Sequence, residues 1–579
     1  MKLRGNMMSP MKPIFYHLRG EFRTGIIPMI LVLLTLGIFT ISEAASQELN
    51  AYFENTAPDK YRVTFTDKNN TGYSIDKPGE FLSPASIERR QKQGIHVTEA
   101  DLPVNPAYVN QLREYGATVL NVSKWFNSAT IEVSDSTILE RIASLPFINN
   151  QTALKKTTGE SPEFIAQTME ITDFDESDYG NSWLQIAVHN GHYLHRAGFT
   201  GEGITIAVLD AGFSNADTLS FFNRLFENDL ILGTRDFVEP GNDVYREATH
   251  GMSVLSIIGG YSSEELIGTA PDAAFWLLRT EDGRSEYIIE EDNWISAAEF
   301  ADSAGAYVIN TSLGYSVFND TLQNHVYTDM DGNTTRVSRA ADMAAARGMM
   351  VIVSAGNQGN SKWKYITAPA DGDSILTVGA VDRSGVIATF SSRGPSSDGE
   401  VKPNVVSIGQ GVYVGNVDGN IRPGNGTSYS APVITGLTAC LWQANPDAKA
   451  REIFQAIIES SDRYNNPDYE YGYGLPDFHL ANMLLKAKKQ TTEPNTRITA
   501  FPNPFSDQLF IFFSEAVDSP VNIRLFDIAG KQLFQKTYPA LTDRYYLVIE
   551  NEFTILRKGV YIIRIEAGKL SGNSKLIKY

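Results

Sequence analysis

Cysteine is almost absent from this sequence, with Cys440 alone among 579 residues. A single cysteine excludes an intramolecular disulfide, so stability must come from core size or from bound ions. Cys440 stands in an apolar stretch, which predicts buried packing rather than a nucleophilic thiol. Basic residues are in deficit too, since 49 Lys and Arg oppose 68 Asp and Glu for a net charge of −19. That charge argues against nucleic acid as a main partner.

Long apolar runs are scarce as well. After a basic N-terminal stretch, residues 26–39 form one apolar run, which is shorter than the ~20 residues that span a bilayer. Small residues follow it at Ser42 and Ala44, so the pattern predicts a signal peptide in residues 1–45, cleaved near Ala44 or Ala45. An uncleaved membrane anchor is the alternative. No cysteine stands directly after the apolar run, which excludes a lipoprotein anchor.

Three short segments carry residues suited to nucleophilic catalysis. Asp210 lies in Val-Leu-Asp-Ala-Gly, His250 opens His-Gly-Met-Ser, and Ser428 lies in Gly-Thr-Ser-Tyr-Ser-Ala-Pro. A serine hydroxyl is a poor nucleophile at neutral pH, and it needs an imidazole to take its proton and a carboxylate to orient that imidazole. The order Asp, His, Ser is that of subtilisin and differs from the orders in chymotrypsin and in the α/β-hydrolases.

The residues around Ser428 favour a helix start over a hydrolase elbow. An elbow requires Gly-x-Ser-x-Gly, and the position two after Ser428 is Ser430. Small and apolar residues from Ser428 to Leu441 predict a buried helix whose N-terminal amides face the reaction centre, where negative charge develops. Pro432 is tolerated in this helix because it lies in about the first turn.

Predicted strand ends bring further candidates to one edge of a sheet. Residues 203–209 predict a buried parallel strand that leads to Asp210, and residues 349–353 predict another that leads to Asn357. Residues 250–260 predict a short apolar helix with the histidine at its start. In open α/β sheets, chemistry collects outside the carboxyl ends of the strands. Asn357 is therefore the candidate oxyanion donor, and loss of such a donor costs about 2.7 to 4 kcal/mol.

Together these segments resemble the subtilisin-like serine proteases, or subtilases, over roughly residues 180–485. The resemblance implies an α/β fold with a doubly wound parallel sheet, and a secreted endopeptidase that works through an acyl-enzyme intermediate. It implies Asp210, His250 and Ser428 as the catalytic triad, with Asn357 and the Ser428 backbone amide as the oxyanion hole. It implies no cofactor or metal for the chemistry, and it leaves a structural calcium ion open, without a location.

The resemblance also covers the substrate-binding segments. Residues 307–314 resemble the strand that pairs with the substrate backbone, and residues 354–356 resemble the facing wall of the specificity pocket. Residues 390–395 and 402–404 are further landmarks of the family. The substrate-binding residues that the resemblance implies are Ser312, Leu313, Gly314, Ser354, Ala355 and Gly356.

Two positions depart from the family pattern. The family has Thr or Ser after the catalytic Asp and Thr after the His-Gly pair, whereas this chain has Ala211 and Met252. No triad atom is lost, but hydroxyl groups that support Asp210 are missing. The departures keep an alternative open, a catalytically weak or inactive surface binding protein with the subtilase fold. For the enzyme, the expected partners are protein or peptide substrates.

Residues 46–160 alternate strand-like and helix-like stretches. The predicted order approximates βαββαβ, with strands at 61–66, 118–125 and 127–133 and helices at 84–93, 106–115 and 137–145. Subtilases carry an inhibitory propeptide of this α+β architecture, so the resemblance implies that this region is the enzyme's own inhibitor. A permanent accessory domain is the alternative. We predict the processing site in the linker from Lys155 to Tyr179 and the peptidase domain in residues 161–485.

The composition changes again after the peptidase domain. Residues 486–496 predict a polar linker, and residues 497–579 predict an antiparallel β-sandwich with a turn at residues 529–531. This tail resembles the C-terminal sorting domain of the type IX secretion system in four segments, 501–504, 525–531, 559–565 and 575–578. The resemblance implies export across the inner and outer membranes by an outer-membrane machinery, with release or surface attachment. A carbohydrate-binding or spacer sandwich is the alternative.

Three weaker signals leave this interpretation unchanged. His189, His192 and His195 recur every third residue, and a partly exposed helix explains them without a metal. Residues 329–333 place oxygen ligands near a glycine turn but lack the full calcium loop of an EF-hand. The glycines of residues 201–203 precede a strand, whereas a dinucleotide-binding loop follows one.

Overall fold

The computed structural model describes residues 52–149, 176–491, 497–505, 508–541 and 544–579. The predicted signal peptide, and the predicted processing linker as far as residue 175, lie outside these ranges. Within them, no helix combines the length and the apolar character that a membrane span requires. The predicted domain boundaries stay predictions.

The N-terminal region folds as an antiparallel sheet packed against helices. Its elements are β1 Phe53–Ala57, β2 Lys60–Thr64, α1 Pro84–Gln93, α2 Pro106–Glu114, β3 Thr118–Ser123, β4 Ser128–Glu132 and α3 Ser136–Ala143. The strand order is β1-β2-β4-β3. Ser83 caps α1 by accepting from the amide of Ser86, and Gly94 ends it with a φ of 69°, which favours glycine. The predicted helices and the β3–β4 pair are confirmed, whereas β1, with polar Glu54 and Asn55, was not predicted.

The central region is an α/β unit built on one parallel sheet. Its elements are α4 Glu176–Tyr179, α5 Trp183–Ala187, α6 His192–Arg196, β5 Thr205–Asp210, α7 Asn223–Glu227, β6 Ile231–Asp236, α8 His250–Gly259, β7 Tyr261–Ser262, β8 Leu266–Ile267, β9 Ala274–Arg279, α9 Ile289–Ala304, β10 Val308–Thr311, α10 Arg336–Ala345, β11 Met350–Ser354, β12 Leu376–Val381, β13 Val405–Ile408, β14 Gln410–Gly415, β15 Ile421–Asn425, α11 Thr427–Ala444, α12 Ala450–Glu459 and α13 Phe478–Thr491. Seven strands pair in the order β13-β12-β11-β10-β5-β9-β6. The strands that follow β5 in the sequence lie on both sides of it, with β6 and β9 on one side and β10 to β13 on the other. Such a switch point between β5 and β10 places a crevice at the carboxyl ends of these two strands.

Helices cover both faces of this sheet. Ile206 and Val208 of β5 contribute to a core with α8 and α11, whereas Ala207 and Leu209 contribute to a second core with α9 and α10. A strand buried on both faces is apolar throughout, which explains the continuous apolar run before Asp210. The predicted doubly wound parallel sheet is confirmed.

Two predicted linkers are partly helical. The processing linker was predicted to reach Tyr179, but residues 176–179 form α4 and Tyr179 is fully buried. The polar linker predicted at residues 486–496 begins inside α13, which continues to residue 491. Ala487 is buried in that stretch, whereas its neighbouring lysines gave the segment a polar composition.

The C-terminal region folds as two antiparallel sheets, β16-β17-β20 and β19-β18-β21-β22. Its strands are β16 Ile498–Phe501, β17 Leu509–Phe513, β18 Val521–Asp527, β19 Gln532–Tyr538, β20 Tyr546–Ile549, β21 Gly559–Ala567 and β22 Leu570–Lys578. Leu509 and Ile511 of β17 lie in the core between the sheets, and Phe510 and Phe512 pack against α13. The predicted β-sandwich is confirmed, with Gly530 in the β18–β19 turn at a φ of 84°.

Candidate active site

Asp210 and His250 meet at the carboxyl end of β5. Asp210 ends β5 and is fully buried, and His250 begins α8. His250 Nδ1 lies 2.8 Å from Asp210 Oδ1. Gly251 permits this approach, because a Cβ at that position would lie 2.8 Å from the Cβ of Asp210. The Asp210 carboxylate is the main cause that raises the pKa of His250 above its ordinary value, since it stabilises the imidazolium.

Ser428 reaches the same edge from the start of α11. It is the second residue of that helix and is half-buried. Its Oγ donates to Ser312 O at 3.2 Å, and Ser312 Oγ donates to Ser428 O at 3.0 Å. Among the described residues, no hydrogen bond joins Ser428 to His250. Catalytic hydrogen bonds are often long without substrate, so the hydroxyl must leave Ser312 before it meets the imidazole.

Pro432 frees the carbonyl group of Ser428 for this contact. The sequence predicted Pro432 in about the first turn, but α11 begins at Thr427 and Pro432 is its sixth residue. A proline there lacks the N–H that would bond to the carbonyl four residues earlier, which is that of Ser428. Ser312 Oγ donates to this carbonyl instead. Pro432 thus lies in the second turn of the helix and not in the first, as was predicted. The carbonyl group that it frees links Ser428 to the predicted substrate segment.

Asn357 follows β11 and lies beside the start of α11. Its Oδ1 accepts from the backbone N–H of Thr427 at 2.9 Å and from Thr427 Oγ1 at 3.0 Å. A Cβ on Gly426 would lie 3.8 Å from Asn357 Nδ2. Within the described part of the chain, Nδ2 has no acceptor, so the amide retains a donor for an oxyanion near Ser428.

The two predicted walls of the specificity pocket follow neighbouring strands. Residues 312–314 come after β10, and residues 354–356 include the end of β11. Ser312, Ser354 and Ala355 are buried, and Gly314 is exposed. The two segments therefore lie at the same sheet edge as Asp210, as predicted from the strand ends.

Thr367 lies between these two walls and was missed by the sequence analysis. A Cβ at Gly314 would lie 2.2 Å from Thr367 Oγ1, and one at Gly356 would lie 3.1 Å from it. Thr367 is 3% exposed, and its Oγ1 has no hydrogen-bond partner in the described ranges. An unpaired buried hydroxyl is costly, which marks it as a candidate contact for a substrate side chain. No local motif singles it out, because only the fold places it between the walls.

The second carboxylate oxygen of Asp210 is also buried without a partner among the described residues. Oδ1 accepts both from His250 and from the N–H of Ala211, the latter at 2.8 Å. Residue 211 is a position where subtilases carry a hydroxyl group. Met252, the other departure from the family pattern, lies fully buried in the apolar core. The departure at Ala211 therefore coincides with a missing hydrogen bond, whereas Met252 contributes packing.

A group of carboxyl side chains lies beside the Asp-His pair. Glu281 follows β9, which pairs with β5, and Tyr315 OH donates to Glu281 Oε1 at 2.6 Å. Burial raises the pKa of Glu281 to about 8, so this side chain is mainly uncharged at neutral pH. One oxygen each from Glu281, Glu286 and Glu290 lies within 4.8 Å of the others.

Carboxylate oxygens are the ligands that calcium prefers. The Glu281 group offers one such set, and the exposed Asp373, Asp398 and Glu400 offer a second. Gly332 of the predicted polar turn packs against Asp373. A structural calcium ion stays an open possibility, as it was from the sequence.

The three regularly spaced histidines do not lie on a partly exposed helix, so that prediction was wrong. His192 belongs to the short helix α6 with His195, His189 precedes it, and all three are buried. Burial lowers the pKa of His189 and His195 to about 4. Both ring nitrogens of these two residues lie within hydrogen-bonding distance of protein atoms, namely Pro476 O and Ser407 Oγ for His189, and Tyr179 OH and Thr269 O for His195.

These features define a class of protein. A buried aspartate paired with a partly exposed histidine, and a serine at a helix start, meet at the carboxyl edge of a doubly wound parallel sheet. This is the arrangement of a subtilisin-like serine hydrolase.

Three family models match the chain. Residues 201–474 match the subtilase family, residues 60–167 match the peptidase S8 propeptide domain of Bacteroidota, and residues 499–579 match the secretion system C-terminal sorting domain. The chain therefore carries a subtilase domain, which is a serine peptidase domain, between a propeptide domain and a type IX sorting tail. The tail indicates export, to the cell surface or the medium.

Relatives cover the central domain. Serine protease AprX of Bacillus subtilis is 28% identical over 318 residues, which cover 50% of this chain and 66% of AprX. Subtilisin E of the same organism is 28% identical over 298 residues, which cover 50% of this chain and 68% of that protein. The alignments thus span about two thirds of these relatives. MycP1 from Mycobacterium smegmatis superposes with a TM-score of 0.41 and 21% identity, covering 55% of this chain and 89% of that structure.

Proposed function

We propose that this chain is a secreted serine endopeptidase that hydrolyses protein substrates through an acyl-enzyme intermediate. Ser428 Oγ attacks the peptide carbonyl and gives its proton to His250 Nε2, while Asp210 holds the imidazole at Nδ1. His250 then protonates the leaving amine, and water hydrolyses the acyl ester with His250 again as the base. The observation that carries the proposal is the 2.8 Å contact between His250 and buried Asp210, at the sheet edge that Ser428 also reaches.

The oxyanion is stabilised by two donors in this proposal, Asn357 Nδ2 and the Ser428 backbone N–H. The substrate backbone pairs with residues 312–314, opposite residues 354–356. Asp210 Oδ1 fixes His250 in the tautomer that leaves Nε2 as the proton acceptor. The unprotonated imidazole is the active form, so activity rises with pH through a His250 pKa that lies above its ordinary value.

The flanking domains give the proposal its regulation. The propeptide, predicted in residues 46–160, inhibits the peptidase until the peptidase cleaves its own chain in the linker that follows, a step that requires Ser428. The sorting tail is read by the outer-membrane secretion machinery, and the product is released or attached to the surface.

A fluorophosphonate probe tests the nucleophile directly. We expect wild-type chain to be labelled and Ser428→Ala to show only background, with a loss in kcat on the order of 10⁶-fold. Ser430→Ala is the matched control, because Ser430 lies in the same helix and donates to Thr427 O at 2.8 Å. Equal labelling of wild type and Ser428→Ala would contradict the proposal and favour the alternative, a binding protein with the subtilase fold.

A further inference from the structure

A buried ionic cluster joins the propeptide domain to α9 of the peptidase. Asp302 on α9 is fully buried. It accepts from Arg89 at 2.6 Å, from Arg90 at 2.8 Å and from Lys124 at 3.3 Å. The two arginines are 0% and 1% exposed. A buried cation without a partner is strongly unfavourable, and these three propeptide cations share one carboxylate of the peptidase.

In a second ion pair across the same interface, the propeptide domain supplies the carboxylate and the peptidase supplies the cation. Asp101 of the propeptide domain accepts from Arg347 Nε of the peptidase at 2.7 Å and from Arg90 of its own domain at 3.1 Å. The Arg347 guanidinium lies 4.6 Å from the ring centre of Trp125, a propeptide residue that is 7% exposed. Each domain thus presents both positive and negative side chains at the interface. These charges are all paired only when the partner carries the opposite charge at each matching position.

The carboxylates of this cluster are ionised in the bound state. Burial opposes ionisation, but Arg347 and Arg90 hold the pKa of Asp101 well below its ordinary value. Lys124, Arg90 and Arg89 lower the pKa of Asp302 in the same way against its burial. Arg347 also stabilises the Asp302 carboxylate, so the peptidase keeps a compensating cation nearby after the propeptide leaves.

We propose that Asp302 and Arg347 form a charge-paired recognition surface on the peptidase, and that its partner is the chain's own propeptide, bound through Arg89, Arg90 and Asp101. This inference rests on the proposed inhibitory role of residues 46–160 and names the residues that select the inhibitor. Burying ion pairs adds little net stability but penalises a mismatched partner heavily. The surface therefore makes inhibition selective for this propeptide over one that lacks the two adjacent arginines of α1.

Hydrogen–deuterium exchange of the full chain tests this proposal without requiring activity. In a Ser428→Ala background, which keeps the chain uncut, Arg89→Met and Asp302→Asn should each speed exchange in residues 84–93 by about 100-fold or more. The double variant should speed exchange by much less than the product of the two single effects, because both remove the same contact. Arg141→Met is the control, since Arg141 is an exposed propeptide residue that packs on Tyr115, and it should leave exchange unchanged.

The proposal is overturned if Arg89→Met exchanges like Arg141→Met, or if the two single effects multiply in the double variant. Should Asp302→Asn fail to fold, Arg89→Met decides the matter alone, because it leaves the peptidase sequence intact. In the chain with Ser428 present, Arg89→Met should also raise fluorophosphonate labelling of the uncut protein. Absence of labelling in every variant would reject the proposed catalysis. The exchange experiment does not depend on activity, so it would still test the recognition surface.

Discussion

The propeptide interface and the catalytic edge both bury polar groups, but they satisfy them differently. At the interface, Asp302 accepts from three cationic side chains and Asp101 from two. At the catalytic edge, Asp210 Oδ2 and Thr367 Oγ1 are buried without a partner in the described part of the chain. Buried polar atoms are normally hydrogen-bonded, and the exceptions concentrate at functional sites. The two interface carboxylates are thus fully paired, although the Nε atoms of Arg89 and Arg90 are buried without a partner among the described residues, whereas the catalytic edge leaves a carboxylate oxygen and a hydroxyl group unpaired.

The comparison predicts opposite responses to substitution. Removing a partner at the interface should release the propeptide, as the exchange experiment tests. At the catalytic edge, changes at the unpaired atoms should alter specificity or rate and leave the fold intact.

Thr367→Gly should change the preference of the enzyme for the P1 residue, which is the substrate residue whose side chain enters the specificity pocket. The threonine side chain occupies the space between Gly314 and Gly356, so the wild-type enzyme should prefer small P1 residues. Removing it should raise kcat/KM for aromatic over small P1 residues by about 10- to 100-fold. A series of peptide substrates that differ only at P1 measures this.

Thr367→Val separates size from hydrogen bonding in the same pocket. Valine keeps the shape but removes the unpaired hydroxyl, so the size limit should persist while any preference for serine over alanine at P1 disappears. A wild-type enzyme that already prefers phenylalanine at P1 would contradict the role assigned to Thr367.

Ala211→Ser should raise kcat modestly. A hydroxyl next to Asp210 supplies a donor for the unpaired Oδ2, and such a bond contributes roughly 1 kcal/mol, or about fivefold in rate. Met252→Thr is the comparison, because it restores the other family hydroxyl inside the apolar core and should bring no gain. Steady-state kinetics on one peptide measures both variants, and an equal gain from Met252→Thr would show that the unpaired oxygen is not the cause.

Glu281→Gln should leave the pH dependence of kcat/KM almost unchanged below pH 8. Burial raises the pKa of Glu281 to about 8, so the carboxyl group is already mainly neutral where His250 titrates, and Gln preserves its shape. The acid limb of the pH profile reports the pKa of His250, which Asp210 raises, so this limb should not move in the variant. A shift of that limb to lower pH in the variant would show that Glu281 is charged and contributes to the raised pKa of His250.

Sequence patterns predicted this protein well wherever the signal is local. The bounds of α1 follow from Ser83, Pro84 and Gly94, and the motif segments predicted that Asp210 and His250 lie together. The charges around Asp302 could not be predicted, because its partner Arg89 lies 213 positions away. Thr367 and the burial of the three histidines were not predicted for the same reason. Burial and pairing arise from tertiary contacts between residues that are far apart in the sequence.

The proposed function has Ser428 as the nucleophile of a peptidase that removes its own propeptide. N-terminal sequencing and intact mass of the exported protein test it most directly, in wild type and in Ser428→Ala. The wild-type product should begin after the propeptide, and Ser428→Ala should still carry residues 46–160. Normal trimming of Ser428→Ala would contradict the claim and assign the cleavage to another protease.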